Sequence, residues 1–189
     1  MNTPTHLLIG LAVGGRVRET RRNLAALAGA FAPDLALFVL FGWARVVGGI
    51  PDRVIFAELY WTPAWQVPMA VSNSAVIWGA LGLLALWLRR GWPSAFVLAG
   101  LAHLAGDFAL HHGDAYPHLW PLSDWRFHSP VSYWNPEHHA DIVKPLELGL
   151  AVALAAWLAW RHEEAWLRAG LGLAVLGFGA GLGYWAWVF

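Results

Sequence analysis

The stretch SAFVLAGLAHLAGDFALHH, residues 94–112, decides how the chain is read. It is close to the roughly 20 apolar residues needed to cross a bilayer, yet it carries His103 and Asp107. At i and i+4 those two side chains stack on one face of a helix, and His111 at i+8 continues the stripe. An imidazole and a carboxylate one turn apart can converge on one divalent ion. They can equally form a hydrogen-bonded strut between helices.

The rest of the composition agrees with a membrane. The 189 residues are 58% hydrophobic and 13% charged, whereas a soluble domain is about half apolar and about a quarter charged. Mean hydropathy is +0.48, which argues against a soluble enzyme. Twelve Lys and Arg balance twelve Asp and Glu, so nothing draws the chain to nucleic acid, and membrane lipids are the expected partners. The absence of cysteine removes disulfides, Cys-ligated zinc or iron–sulfur centres and thiol nucleophiles. Chemistry therefore falls to His and Asp.

Residues 23–47, 72–88, 145–160 and 165–188 also read as spans. A short apolar stretch at residues 4–15 covers only about 18 Å at roughly 1.5 Å per residue. Its positive charges follow it, unlike those of a signal peptide. The prediction is an all-α polytopic membrane helix bundle of about five spans plus an N-terminal half-span. It forms one integral-membrane domain over residues 1–189. Arg16, Arg18, Arg21, Arg22, Arg89, Arg90, Arg161 and Arg168 fall on one side, which the positive-inside rule makes cytoplasmic. The opposite loops, 48–70 and 113–143, hold Tyr60, Trp61, Trp65, Tyr116, Trp120, Trp125, Tyr133 and Trp134. Such side chains favour the membrane–water interface. A bacterial inner (cytoplasmic) membrane, with the site facing away from the cytoplasm, is the expected location. Gly10, Gly14, Gly79, Gly82, Gly177, Gly179, Gly181 and Gly183 mark places where helices can approach closely.

The polar residues inside apolar segments carry the functional content. Asp34 follows Pro33 directly, and an acid at mid-membrane costs roughly 2.5–3.5 kcal/mol. Pro33 should kink the helix there, so Asp34 reads either as a ligand or as a carboxylate pairing with an arginine or capping a broken helix. Thr3 as N-cap with Pro4 at the first helical position places His6 in the first turn. Seven of the nine histidines fall between 103 and 139, and His112 reads as an interface residue. Beyond His112 lies an aromatic loop with His118, Asp124, His128, His138, His139 and Asp141. Asp124, His128, His138 and Asp141 are the candidates for general acid or base. The guanidinium fork of Arg126 suits phosphate oxygens, including those of a lipid headgroup. His162 reads as a residue of a charged loop. No nucleophile elbow, P-loop or dinucleotide fingerprint occurs.

His6-Leu7-Leu8, Pro33-Asp34, His103-x-x-x-Asp107 and the segment from Leu119 through Trp120-Pro121 to Phe127 occur in a telling order. Together they resemble the YdjM-like family of inner-membrane proteins, described as metal-dependent hydrolases, over residues 3–127. The chain departs from that pattern twice. Ala36 stands where the family has a second acid, and Val71-Ser72-Asn73-Ser74 stands where it has a His-Arg-Gly…Thr-His element. The resemblance implies a divalent-metal site ligated by His6, Asp34, His103 and Asp107, with His111 as a further ligand. Zinc suits His/Asp donors, and so do iron and manganese. The implied activity is hydrolysis at the bilayer surface of a lipid or an envelope-derived phosphoester. The alternative is a non-catalytic protein whose network or metal is structural and whose aromatic loops bind a partner or lipid. Intramembrane acids also suit a transporter, although no inverted repeat is evident.

Overall fold

Lipid offers no hydrogen bonds to the backbone, so a chain this apolar must satisfy its N–H and C=O groups within its own segments. The computed structural model describes residues 1–188, and among them every regular element is helical. The helices are α1 (Thr3–Gly14), α2 (Thr20–Phe31), α3 (Leu35–Gly42), α4 (Asp52–Ala57), α5 (Pro63–Ser72), α6 (Ala75–Leu88), α7 (Gly91–Leu110), α8 (Ala140–Arg161) and α9 (Ala165–Val188). A π-helical turn, Trp43–Val47, continues α3.

Three helical stretches are long and apolar enough to cross a membrane: Pro63–Leu88, Gly91–Leu110 and Ala140–Arg161. These three candidates do not by themselves confirm the expected count of about five. Residues 23–47 do not form one straight span. Thr20–Phe31 and Leu35–Val47 meet at 67°, because Pro33 interrupts helical hydrogen bonding between them. Counted as one broken span, the pair brings the total to four. Helix α9 is apolar over Ala165–Gly181 and continues to Val188, and α1 is the expected short N-terminal helix.

The site rests on the packing of α1, α2 and α7. Ala26, Ala30, Ala95 and Ala99 are buried in a common seam. Gly10 fits there because a Cβ at that position would lie 2.4 Å from the Ala30 Cβ. At Gly29 a Cβ would lie 2.0 Å from the Phe96 carbonyl oxygen, so α2 touches the backbone of α7 directly. Small residues permit this approach in lipid. Gly14 is as closely packed, a Cβ there falling 2.8 Å from the Ala95 carbonyl oxygen, but the remaining marked glycines differ. A Cβ at Gly79, Gly179, Gly181 or Gly183 would meet nothing within 4 Å, and at Gly82 or Gly177 only ordinary contacts. Helical spacing alone does not say which glycine face has a partner.

Outward, Val46, Leu83, Leu86, Trp87 and Trp160 are at least 71% exposed, an apolar surface that suits lipid. One local reading is corrected by the fold. The N-cap of α1 is Asn2, not Thr3. His162 lies, as expected, in the charged loop between α8 and α9, but it is packed there at 1% exposed, and its carbonyl accepts from Arg168 Nε at 2.8 Å. Glu147, buried within α8, accepts from the Asn2 backbone N–H at 2.7 Å and from Asn2 Nδ2 at 3.0 Å. It thereby ties the start of α1 to α8.

Overpacking the seam should be costly. Gly29→Ala is expected to destabilise by at least about 1–3 kcal/mol, whereas Gly79→Ala should stay within about 0.5 kcal/mol. Thermal unfolding of both variants in detergent checks this, and equal midpoints would refute the seam.

Candidate metal centre

His103 and Asp107 lie in the last third of α7. At roughly 1.5 Å per residue, His103 sits about 10 Å before the helix end, beneath the loops that follow. Because the seam holds α2 against α7, His103 Nδ1 reaches the carbonyl of Ala30 at 2.6 Å. A carbonyl only accepts, so this bond fixes the proton on Nδ1. The ring then turns Nε2 toward Asp107 Oδ2 at 3.0 Å and Asp34 Oδ1 at 3.6 Å, as a second N–H donor when it is protonated and as a lone pair when it is neutral. Two acceptors at that distance need a proton or a cation to join them.

The neighbouring groups repeat this arrangement. The His6 ring stacks on His103 with centroids 3.4 Å apart and planes within 8°, and its Nε2 lies 2.9 Å from Asp107 Oδ1. His6 Nδ1 is buried without a hydrogen-bond partner. Asp34 enters from the break after Pro33 and accepts from Thr3 Oγ1 at 2.6 Å. His111 follows the end of α7, with Nε2 3.1 Å from Asp107 Oδ1 and Nδ1 3.0 Å from Asp114 Oδ2. The Met1 amino group also lies 3.1 Å from both Asp107 Oδ1 and His111 Nε2.

Ligand atoms of His6, His103 and Asp107 all lie within 4.8 Å of one another. Ligands about 2.0–2.2 Å from one zinc ion lie roughly 3–4 Å apart, so the three fit a shared cation. Asp34 and His111 flank this trio rather than belonging to it. The nitrogen and oxygen donors suit zinc, iron or manganese alike. Outside the helical spans the same demand for positive charge persists. Burial alone would lower the His111 imidazolium, but the carboxylates of Asp107 and Asp114 outweigh it and raise its pKa to about 9. Burial would raise the Asp114 carboxyl, and His111 overcomes that to hold it below the ordinary value. Burial keeps the Tyr116 and Tyr133 phenols well above theirs, and neighbouring acids add to the effect.

The acid/base candidates lie elsewhere. Among the described residues, Asp124, His128, His138 and Asp141 make no hydrogen bond or ion pair with the cluster. His128 Nδ1 donates to the His112 carbonyl at 2.6 Å, and His138 stacks on His112 with centroids 3.4 Å apart. His118 Nδ1 donates to the Asn73 carbonyl at 2.8 Å, and burial lowers its pKa. His139 and Asp141 are exposed at the start of α8. Asp124 lines a cleft of about 230 Å³ with Trp61, Gln66, Pro117, Trp120 and Arg126. Residues 71–74, where the chain departs from the family pattern, pack on the helix break. Ser72 Oγ and Asn73 Nδ2 donate to the Pro33 carbonyl at 2.7 and 3.3 Å.

Three contributors were missed in the sequence. Asp114 sits three residues beyond His111, a spacing that could have drawn attention to it. Glu147 lies two residues inside the apolar run 145–160, and an acid in that position is itself a signal. Thr3 read as a cap, and its hydroxyl instead orients Asp34. No protein-family model matches the chain, and no curated protein or solved structure matches it either.

Asp34→Asn should weaken metal affinity by roughly 10–100-fold, the scale for groups that orient or complete a metal site, while the protein stays inserted. His128→Ala should leave the affinity unchanged. Competition against a metal indicator in detergent measures both, and unchanged affinity in Asp34→Asn would remove Asp34 from the site.

Proposed function

We propose that this chain is a membrane-embedded metal-dependent hydrolase acting at the bilayer surface on a lipid or other phosphoester. The observation that carries the metal reading is the bond from His103 Nδ1 to Ala30, which leaves Nε2 facing carboxylate oxygen. His6, His103 and Asp107 would hold the ion, with Asp34 and His111 beside it. The YdjM-like resemblance supports the same residues and supplies the reaction class, which rests on analogy.

A divalent ion there supplies Lewis acidity to a substrate oxygen and acidifies a water it holds. The chain's own groups set the conditions. Ala30 orients His103, and Thr3 orients Asp34. The side chain of Asp34 is 12% exposed against 0–2% for His6, His103 and Asp107, so it forms the open edge of the cluster. A non-cytoplasmic site is what the arginine distribution suggests, the bacterial inner membrane is what the resemblance suggests, and both belong to this reading.

Burial of His6, His103 and Asp107 favours a second reading, since structural metal sites are closed and catalytic ones keep an open position. In that reading the cluster pins α1, α2 and α7 and catalyses nothing. Turnover of phosphodiester substrates by metal-reconstituted protein in lipid nanodiscs separates the two. The hydrolase reading predicts turnover that falls by at least about 100-fold in Asp107→Asn, as for removal of a key electrostatic group. Metal-loaded protein with no turnover, but with a midpoint that drops when metal is removed, would establish the structural reading instead.

A further inference from the structure

The cleft lined by Trp61, Gln66, Trp120, Asp124 and Arg126 sits between the segment before α5 and the loop after α7, both at the end of the bundle nearest the His/Asp cluster. Arg126 is held in place from two sides. Its Nη1 donates to the Ala115 carbonyl, and its Nη2 to Gln66 Oε1 at 3.2 Å. Both partners are neutral, so the guanidinium is oriented without being neutralised. Among the described residues no carboxylate is ion-paired with it. Asp124 is exposed in the same cleft and forms no ion pair with Arg126 or with any other described residue.

A cleft that presents one fixed cation and one free anion, not paired with each other, selects against a simple anion. Inorganic phosphate or an anionic lipid headgroup at Arg126 would also face the Asp124 carboxylate. A ligand carrying a phosphate and an ammonium group satisfies both. Its phosphate accepts from the guanidinium fork, and its ammonium meets Asp124 and the faces of Trp61 and Trp120. The volume of about 230 Å³ equals some seven waters at about 30 Å³ each, enough for a phosphate joined to a short amine. Tryptophans at this level suit the headgroup layer.

We infer that this cleft binds a zwitterionic phosphoester headgroup of the phosphoethanolamine type, through Arg126 and Asp124. The inference gives Asp124 a binding role in place of a proton-transfer role. It goes beyond the hydrolase reading and does not require that the His/Asp cluster hydrolyse anything. The site is nonetheless close to that cluster. Ala115 precedes Tyr116, whose ring lies 5.4 Å from that of His111, and Trp61 follows Tyr60, which packs in one core with Tyr116.

Native mass spectrometry of the full chain in detergent, with lipids of matched acyl chains, tests this. Phosphatidylethanolamine should be retained about tenfold more than phosphatidylglycerol or phosphatidic acid, the scale of one charged contact. Asp124→Asn should erase that preference, and Arg126→Gln should weaken retention of all three. If Arg126→Gln does not fold, Asp124→Asn, an exposed position, still decides. Competition by soluble glycerophosphoethanolamine would indicate a free headgroup as the ligand, and its failure to compete with retained lipid would indicate the bilayer lipid. Equal retention of phosphatidylglycerol, no retention, or a preference unchanged in Asp124→Asn would overturn the inference. Metal content measured on the same samples keeps the readings apart: metal bound without lipid selectivity sinks only this inference, and selectivity without metal sinks only the hydrolase.

Discussion

The hydrogen bond from His103 Nδ1 to the Ala30 carbonyl ties the middle of α7 to the last turn of α2 and fixes which nitrogen faces the cluster. Everything at the centre follows from that tautomer. Had Nε2 carried the proton, it would donate to Asp107 and the pair would be a satisfied strut. With the proton on Nδ1, the neutral His103 presents a lone pair to carboxylate oxygen, and His6 stacks beside it against the same carboxylate. A buried set of acceptors is costly unless something positive sits among them. The Met1 ammonium, 3.1 Å from Asp107 Oδ1, and a proton on His103 meet part of that need, and a divalent cation shared by His6, His103 and Asp107 would meet the rest.

That bond exists only because the helices come close enough to make it. The seam of Ala26, Ala30, Ala95 and Ala99, with Gly10 and Gly29 where no side chain fits, lets α1 and α2 lie against α7. The break at Pro33 then serves two ends. It bends the segment by 67°, which delivers Asp34 beside His103, and it frees the Pro33 carbonyl for Ser72 and Asn73. Glu147 fastens the start of α1 from the other side through Asn2. A carboxylate within an apolar span costs roughly 2.5–3.5 kcal/mol to insert, and each of these acids has a hydrogen-bond donor waiting for it.

Much of this was legible in the residues. The spacing of His103 and Asp107 put them on one face, and the isolated acid after Pro33 and the histidine near residue 6 marked the other two walls. Other features escaped for physical reasons. The kink at Pro33 was legible, but hydropathy measures how apolar a segment is and not how far it bends, so the 67° break within residues 23–47 was not. The charged residues around His162 marked the loop correctly, while its burial depends on α8 and α9 packing together. Thr3 has the composition of a cap, and only the position of Asp34 reveals its other use. The glycines of α9 repeat as regularly as those of α1, yet among the described residues nothing packs closely on them. The aromatic loop was readable as an interfacial surface, but the separation of Arg126 from Asp124 within it depends on contacts from Ala115 and Gln66.

The central claim is that His6, His103 and Asp107 hold a divalent cation. X-ray absorption at the metal edge, on untagged protein purified without chelator, addresses it directly. One stoichiometric zinc, iron or manganese ion is expected, with imidazole scattering from at least two histidines and, for zinc, nitrogen ligands at about 2.0–2.1 Å. Folded protein that binds no metal even after reconstitution, or a bound ion without imidazole scattering, would contradict it and leave His103 and Asp107 as a hydrogen-bonded strut.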